Sequence, residues 1–211
     1  MVSTNGKALA EKIEALLRAW PVPIETFAIL AHSMGGLVAR SAVHYGELAN
    51  HEWPRHLRQI VFLGTPHQGA PLERAGNWID QILDKSPYTT AFADLGRIRS
   101  AGITDLRFGS LLDEDWQGRD RFARPELHHV ALPHGVACYA VAAAIAKHPG
   151  GSAKRLLGDG LVPLDSALGR VQGPNSLAIP KARQWVGFDM NHLDLLDHKD
   201  AYAQLKRWLC A

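Results

Sequence analysis

The sequence is poor in cysteine. Only Cys138 and Cys210 occur among its 211 residues, the first in an apolar, strand-like run and the second at the penultimate position. Their separation matches neither the spacing of metal ligands nor that of a redox pair. We therefore interpret both as thiols without a catalytic or metal-binding function.

An excess of charge of one sign is also missing. The chain has 23 basic and 21 acidic residues, a net charge of +2, and no block of like charge long enough for a nucleic-acid-binding arm. No apolar run approaches the length of a membrane span, and residues 1–12 lack the apolar core of a signal peptide. We expect no nucleic-acid partner, no integral membrane segment and a cytoplasmic location.

What the sequence does contain is an alternation of strand-like and helix-like segments. A hydrophobic content of 46% over 211 residues is typical of one globular domain. Strand, helix, strand in this order predicts an α/β fold with a mostly parallel sheet flanked by helices. Four strands are predicted, at Thr26–Ala31, Gln59–Leu63, Cys138–Ala146 and Gln184–Phe188, with helices at Lys7–Trp20, Gly35–Asn50 and Leu195–Leu209.

A long interval with weak periodicity separates the second strand from the third. We divide the single domain 1–211 into a helix and serine-turn unit (1–63), a cap-like insertion (64–137) and a C-terminal part of the core (138–211). Helices are predicted in the insertion at Leu72–Asp84 and Thr90–Arg99, and Trp78 on its apolar face is a candidate substrate-binding residue. A plain helical packing layer is the open alternative to a cap.

One serine lies where an apolar strand turns into a helix. Ser33 has small neighbours at Ala31, Gly35 and Gly36, which a sharp strand-to-helix turn needs because strand and helix pass close together. The pattern is G-x-S-x-G with alanine in the first place. The alternative is that Ser33 only caps the helix that follows it.

An acid and a histidine follow the serine in the chain order Ser, Asp, His. Asp159 lies in a glycine-rich loop, and His192 follows the last predicted strand. An imidazole can take the serine proton, and a carboxylate on its other nitrogen holds it in the right tautomer. Asp165 is the rival acid, whereas Asp194 and Asp197 are too near His192 along the chain to reach around its ring.

Four motifs together resemble the α/β-hydrolase superfamily, in a lipase-like or esterase-like branch that is also similar to GPI-inositol deacylases. They are Ala31–Gly36 (AHSMGG), Leu63–Gly69 (LGTPHQG), Gly158–Pro163 (GDGLVP) and Asn191–His192. The resemblance spans the whole chain. It implies hydrolysis of small-molecule or lipid carboxylic esters through an acyl-enzyme on Ser33, with no metal and no cofactor.

The resemblance also implies roles for residues near the serine. The backbone N–H of Met34, the residue after the nucleophile, is an expected oxyanion-hole donor. His32 and His67 are expected to border the active site as substrate-binding residues without transferring protons.

The sequence departs from this family at its start. Several strands precede the serine turn in α/β-hydrolases, whereas one helix precedes it here, so a second oxyanion donor is missing and the strand before Ser33 becomes a sheet edge. Three explanations are open: a C-terminal part of a longer hydrolase, a minimal hydrolase that covers the edge with a second copy or with its own cap, or a weak or inactive fragment that serves as a binding module. The second predicts a homodimer through this strand.

Overall fold

The computed structural model describes residues 1–70, 102–118, 126–147, 158–170 and 176–210. Trp78 and the two helices predicted in the insertion, Leu72–Asp84 and Thr90–Arg99, lie outside the described residues. What the insertion does therefore stays a prediction.

Helices and strands alternate along the described chain. The helices are α1 (Val2–Ala19), α2 (Met34–Leu48), α3 (Trp53–His56), α4 (Gly102–Phe108), α5 (Leu164–Ala167) and α6 (Lys199–Leu209), and the strands are β1 (Phe27–His32), β2 (Leu57–Leu63), β3 (Ala137–Ala144) and β4 (Gln184–Phe188). Short 3₁₀ turns occur at Asp113–Asp115, Lys181–Arg183 and Asp194–Leu196. No helix in the described ranges combines the length and the apolar character that crossing a membrane requires.

The four strands form one parallel sheet in the order β1-β2-β3-β4. Parallel neighbours need a crossover between them, and α2 supplies the crossover from β1 to β2. The predicted α/β fold, with a mostly parallel sheet of four strands flanked by helices, is confirmed. Since all the strands run the same way, their carboxyl ends meet at one edge of the sheet, where ligands of open α/β sheets bind.

Strand β2 is buried on both faces, as expected for the interior of a parallel sheet. Ile60 and Phe62 belong to a core that contains Ala10 of α1 and Ala42 of α2, whereas the alternate residues of β2 face a second core that contains Trp208 of α6. In the described part of the chain, helices therefore pack against both faces of the sheet.

Strand β1 lies at the edge of the sheet, as the sequence predicts. It pairs with β2 on one side and with no other strand in the described residues. Leu30 of β1 is 53% exposed, whereas Val61, its register partner on β2, is fully buried. An apolar edge strand with unpaired backbone groups is a template for pairing with another strand.

Two helix starts differ from the sequence prediction. Helix α1 begins at Val2, before the predicted Lys7, because Val2 is buried and its backbone N–H donates to the Asp105 carboxylate at 2.7 Å. Helix α6 begins at Lys199, after the predicted Leu195, because a 3₁₀ turn occupies Asp194–Leu196. Both differences arise from contacts and turns that helical periodicity does not report.

Candidate active site

The turn between β1 and α2 holds Ser33 in a strained backbone conformation. Ser33 has φ 55° and ψ −131°, a region that residues other than glycine rarely adopt. Its backbone N–H donates to the carbonyl of Leu63 at 2.8 Å, which ties the turn to the end of β2. Its hydroxyl makes no capping bond to α2, so Ser33 occupies the N-cap position without the side-chain bond that the capping alternative requires. A strand, a strained serine and a helix follow one another here, which is the arrangement that the predicted nucleophile at Ser33 requires.

Of the two glycines after the serine, only Gly36 is required for space. A Cβ at Gly36 would lie 2.1 Å from Oγ1 of Thr65, a fully buried side chain at the end of β2. A Cβ at Gly35 would have no described atom within 4 Å. The close approach of α2 to the sheet is therefore made at Gly36, and the expectation that Gly35 is also needed for packing is not supported.

His192 and Asp159 form a buried pair at the carboxyl ends of β4 and β3. Nδ1 of His192 lies 2.7 Å from Oδ2 of Asp159, and both side chains are at most 2% exposed. The other carboxylate oxygen of Asp159 accepts the backbone N–H groups of Leu161 at 3.0 Å and Val162 at 2.8 Å. Both oxygens of Asp159 thus have hydrogen-bond partners, which fixes the carboxylate and the position of Nδ1 of His192.

The rival acids lie elsewhere. Asp165 is exposed on α5. Asp194 accepts the backbone N–H of Asn191 at 2.7 Å, and Oδ1 of Asn191 accepts the N–H of Leu193 at 2.8 Å. These local bonds shape the loop on either side of His192. The pairing of His192 with Asp159 therefore follows the ranking made from the sequence.

The second ring nitrogen of His192, Nε2, is not used by the contact with Asp159. Nε2 is buried and has no hydrogen-bond partner among the described residues, so it is not bonded to the Ser33 hydroxyl in this structure. Such bonds are often long in structures without substrate. An imidazole with one nitrogen on a carboxylate and the other unpaired is arranged to act as a general base.

The second residue of the LGTPHQG motif has a physical role that the sequence did not suggest. Gly64 has φ +55°, and a Cβ there would lie 2.9 Å from Cε1 of His192. Glycine therefore lets the His192 ring lie directly against the carboxyl end of β2, and it also tolerates the left-handed backbone. No spacing rule could have found this contact, because 128 positions separate the two residues.

His67 of the same motif lies inside the protein. It is 5% exposed, its ring meets Phe62 edge-on at 4.7 Å, and neither ring nitrogen has a hydrogen-bond partner among the described residues. Burial, and then the nearby charge of Arg40, lower the pKa of His67 well below its ordinary value of 6.5. This position favours a packing role, and contact with substrate stays a prediction.

His32 contacts His192 directly. Nε2 of His32 lies 3.2 Å from the backbone carbonyl oxygen of His192, and the two ring centroids are 4.6 Å apart. Burial, and then the neighbouring His192, lower the pKa of His32 to about 4, so this ring is neutral at pH 7. Its role in binding substrate stays a prediction.

The first residue of α2, Met34, carries the expected oxyanion donor. The first N–H groups of a helix have no partner within the helix, and the helix dipole adds positive potential there. The first turn of the 15-residue α2 contains no acidic side chain that would cancel this potential. In the described ranges, no group of three or more His, Cys, Asp or Glu side chains is arranged to hold a metal ion.

Comparison with known proteins agrees with this geometry. The fold resembles the crystal structure of a Bacillus licheniformis lipase, BlEst2, in its mature form, with a TM-score of 0.55, 17% identity, and coverage of 99% of this chain and 74% of that chain. The search of curated proteins finds no match. Residues 6–140 match the model of the PGAP1-like alpha/beta domain. The fold is lipase-like, of the α/β-hydrolase type, and the chain belongs to the PGAP1-like alpha/beta domain family.

Proposed function

We propose that this protein is a serine hydrolase of carboxylic esters that works through an acyl-enzyme on Ser33. The buried pair of His192 and Asp159, 2.7 Å apart with Nε2 of His192 unpaired, is the observation that carries the proposal. The strained serine elbow and the lipase-like fold support it. Small-molecule or lipid esters are the proposed substrates.

The proposed reaction begins with Ser33. Its Oγ attacks the ester carbonyl carbon while Nε2 of His192 takes the hydroxyl proton, and Asp159 stabilises the imidazolium that forms. The carbonyl electrons move to the carbonyl oxygen, which becomes an oxyanion. His192 then gives the proton to the departing alcohol as the C–O bond breaks. In the second half, the oxygen of a water molecule attacks the acyl carbon while Nε2 of His192 takes a proton from the water. His192 then returns this proton to Oγ of Ser33 as the bond between Oγ and the acyl carbon breaks and the acid leaves.

Stabilisation of the oxyanion is the incomplete part of this site. The N–H of Met34 at the start of α2 is one proposed donor, and no second donor is identified among the described residues. One missing donor typically lowers kcat by about 10²- to 10³-fold. We therefore expect slow turnover unless another segment or a second molecule supplies the second donor.

The unpaired edge of β1 favours a second candidate function. Beside Ser33, the sheet ends at a strand whose Leu30 is 53% exposed. An α/β-hydrolase fold of this kind with one oxyanion donor could bind a partner or an ester without useful turnover. This candidate is a weak or inactive binding module.

An assay of ester hydrolysis by the purified chain distinguishes the esterase from the binding module. We expect wild type to hydrolyse p-nitrophenyl butyrate and to be labelled on Ser33 by a fluorophosphonate, and Ser33→Ala to do neither. A folded wild-type protein that shows neither turnover nor labelling would reject the enzyme and leave the binding module.

A further inference from the structure

The side chain just before the proposed nucleophile lies on the same face of the sheet as the proposed base. His32 ends β1 and is in register with Leu63 of β2, which belongs to the core between the sheet and α6. Side chains alternate along a strand, so His32 shares that face with Leu63. Leu195, three residues after His192, belongs to the same core.

The contact between the two histidines has a defined direction. The backbone carbonyl of His192 can only accept a hydrogen bond, so Nε2 of His32, 3.2 Å away, must carry the proton and donate. The two rings are tilted by 43° with centroids 4.6 Å apart, so His32 also covers one face of the His192 ring. Asp159 holds the edge of that ring, and Gly64 lies against it.

We propose that His32 is a positioning residue that fixes the backbone and the ring plane of His192. This inference rests on the proposed function for its effect on catalysis, but the contact itself does not depend on that function. Asp159 by itself sets the hydrogen bond at Nδ1 and leaves the ring free to swing about it. The His32 bond anchors the backbone from which the ring extends, and the His32 ring limits the swing.

The neutral state of His32 suits this role. His192 becomes an imidazolium when it takes the serine proton, and a charged neighbour 4.6 Å away would oppose that step. Burial keeps the pKa of His32 at about 4, so it stays neutral while His192 cycles. A neutral ring with an N–H donor therefore holds His192 without opposing its charge.

Three substitutions of His32 distinguish the effect of its N–H donor from the effect of its ring. His32→Gln keeps an N–H donor without the ring, His32→Phe keeps a ring without the donor, and His32→Ala removes both. One hydrogen bond is worth a factor of about 2 to 13 in an equilibrium constant. We expect His32→Ala to lower kcat on p-nitrophenyl butyrate at least about tenfold with KM within about twofold, and His32→Gln to recover part of that loss. His44→Phe, at a half-buried histidine of α2, is the matched control.

A second measurement does not need turnover. The proton between Nδ1 of His192 and Asp159 gives a downfield NMR resonance, and we expect it to broaden in His32→Phe and His32→Ala and to persist in His44→Phe. Unchanged kcat and unchanged resonance in folded His32→Ala would overturn the proposal. A rise in KM alone would also overturn it, in favour of substrate contact. If wild type hydrolyses no ester, the proposed function fails, and the resonance still decides whether His32 holds His192.

Discussion

Asp159→Asn is the sharpest test of the proposed site, because the structure separates the two tasks of this carboxylate. Oδ1 accepts two backbone N–H groups at 2.8 and 3.0 Å, and Oδ2 faces Nδ1 of His192 at 2.7 Å. An asparagine keeps an oxygen for the backbone bonds and places an NH₂ group opposite the histidine. That group can only donate, so Nδ1 of His192 must accept and the ring proton moves to Nε2.

A proton on Nε2 blocks the proposed base. The ring can no longer accept the hydroxyl proton of Ser33, and the imidazolium loses its carboxylate. In serine hydrolases this exchange lowers kcat by about 10⁴-fold while the geometry is kept. We therefore expect Asp159→Asn to lose about 10⁴-fold in kcat on p-nitrophenyl butyrate, with little change in the midpoint of thermal unfolding.

Two further variants control this experiment. Asp165→Asn makes the same chemical change at the exposed rival acid and should keep kcat within about twofold. Asp159→Ala also removes the acceptor of the half-buried Leu161 N–H and of the buried Val162 N–H, and an unpaired buried group costs roughly 1–3 kcal/mol of unfolding free energy, so this variant should be less stable than Asp159→Asn. The reasoning is refuted if Asp159→Asn retains a tenth of wild-type kcat, or if Asp165→Asn loses as much as Asp159→Asn.

Three other outcomes follow from the described contacts. Gly36→Ala should lower the unfolding free energy by about 1–3 kcal/mol, because its Cβ would lie 2.1 Å from Oγ1 of Thr65. Gly35→Ala should leave the unfolding free energy unchanged, because no described atom lies within 4 Å of its Cβ. Equal denaturation midpoints for the two variants would contradict this difference. The predicted homodimer through β1 should give a dimer in sedimentation at micromolar concentration and dissociate in Leu30→Lys; a wild-type monomer counts against it. Below about pH 6.5, His67 of the unfolded chain binds a proton and buried His67 does not. The unfolding free energy should therefore decrease by up to about 1.4 kcal/mol for each unit by which the pH is lowered below that point, and the decrease should be less steep in His67→Phe.

The elements of the fold follow largely from local pattern. The fourth strand was predicted at its observed bounds, and the other three within two residues at either end, because a buried parallel strand is a short continuous apolar run. The start of α1 was missed because the partner of the Val2 N–H, Asp105, is over a hundred residues away. Periodicity describes one helix face and does not report a tertiary cap.

The contact between His192 and Asp159 and the position of Ser33 on a strand-to-helix turn were predictable from the sequence, because chain order and loop position constrain which side chains can reach the ends of parallel strands. The sequence also predicted that the strand before Ser33 lies at the edge of the sheet, and among the described residues β1 pairs only with β2. Only the tertiary structure showed that Gly64 lies against the His192 ring, that His67 is buried on Phe62, and that His32 bonds to the His192 backbone. Those contacts join separate loops, and their distances depend on how helices and strands pack, which no local pattern of residues encodes.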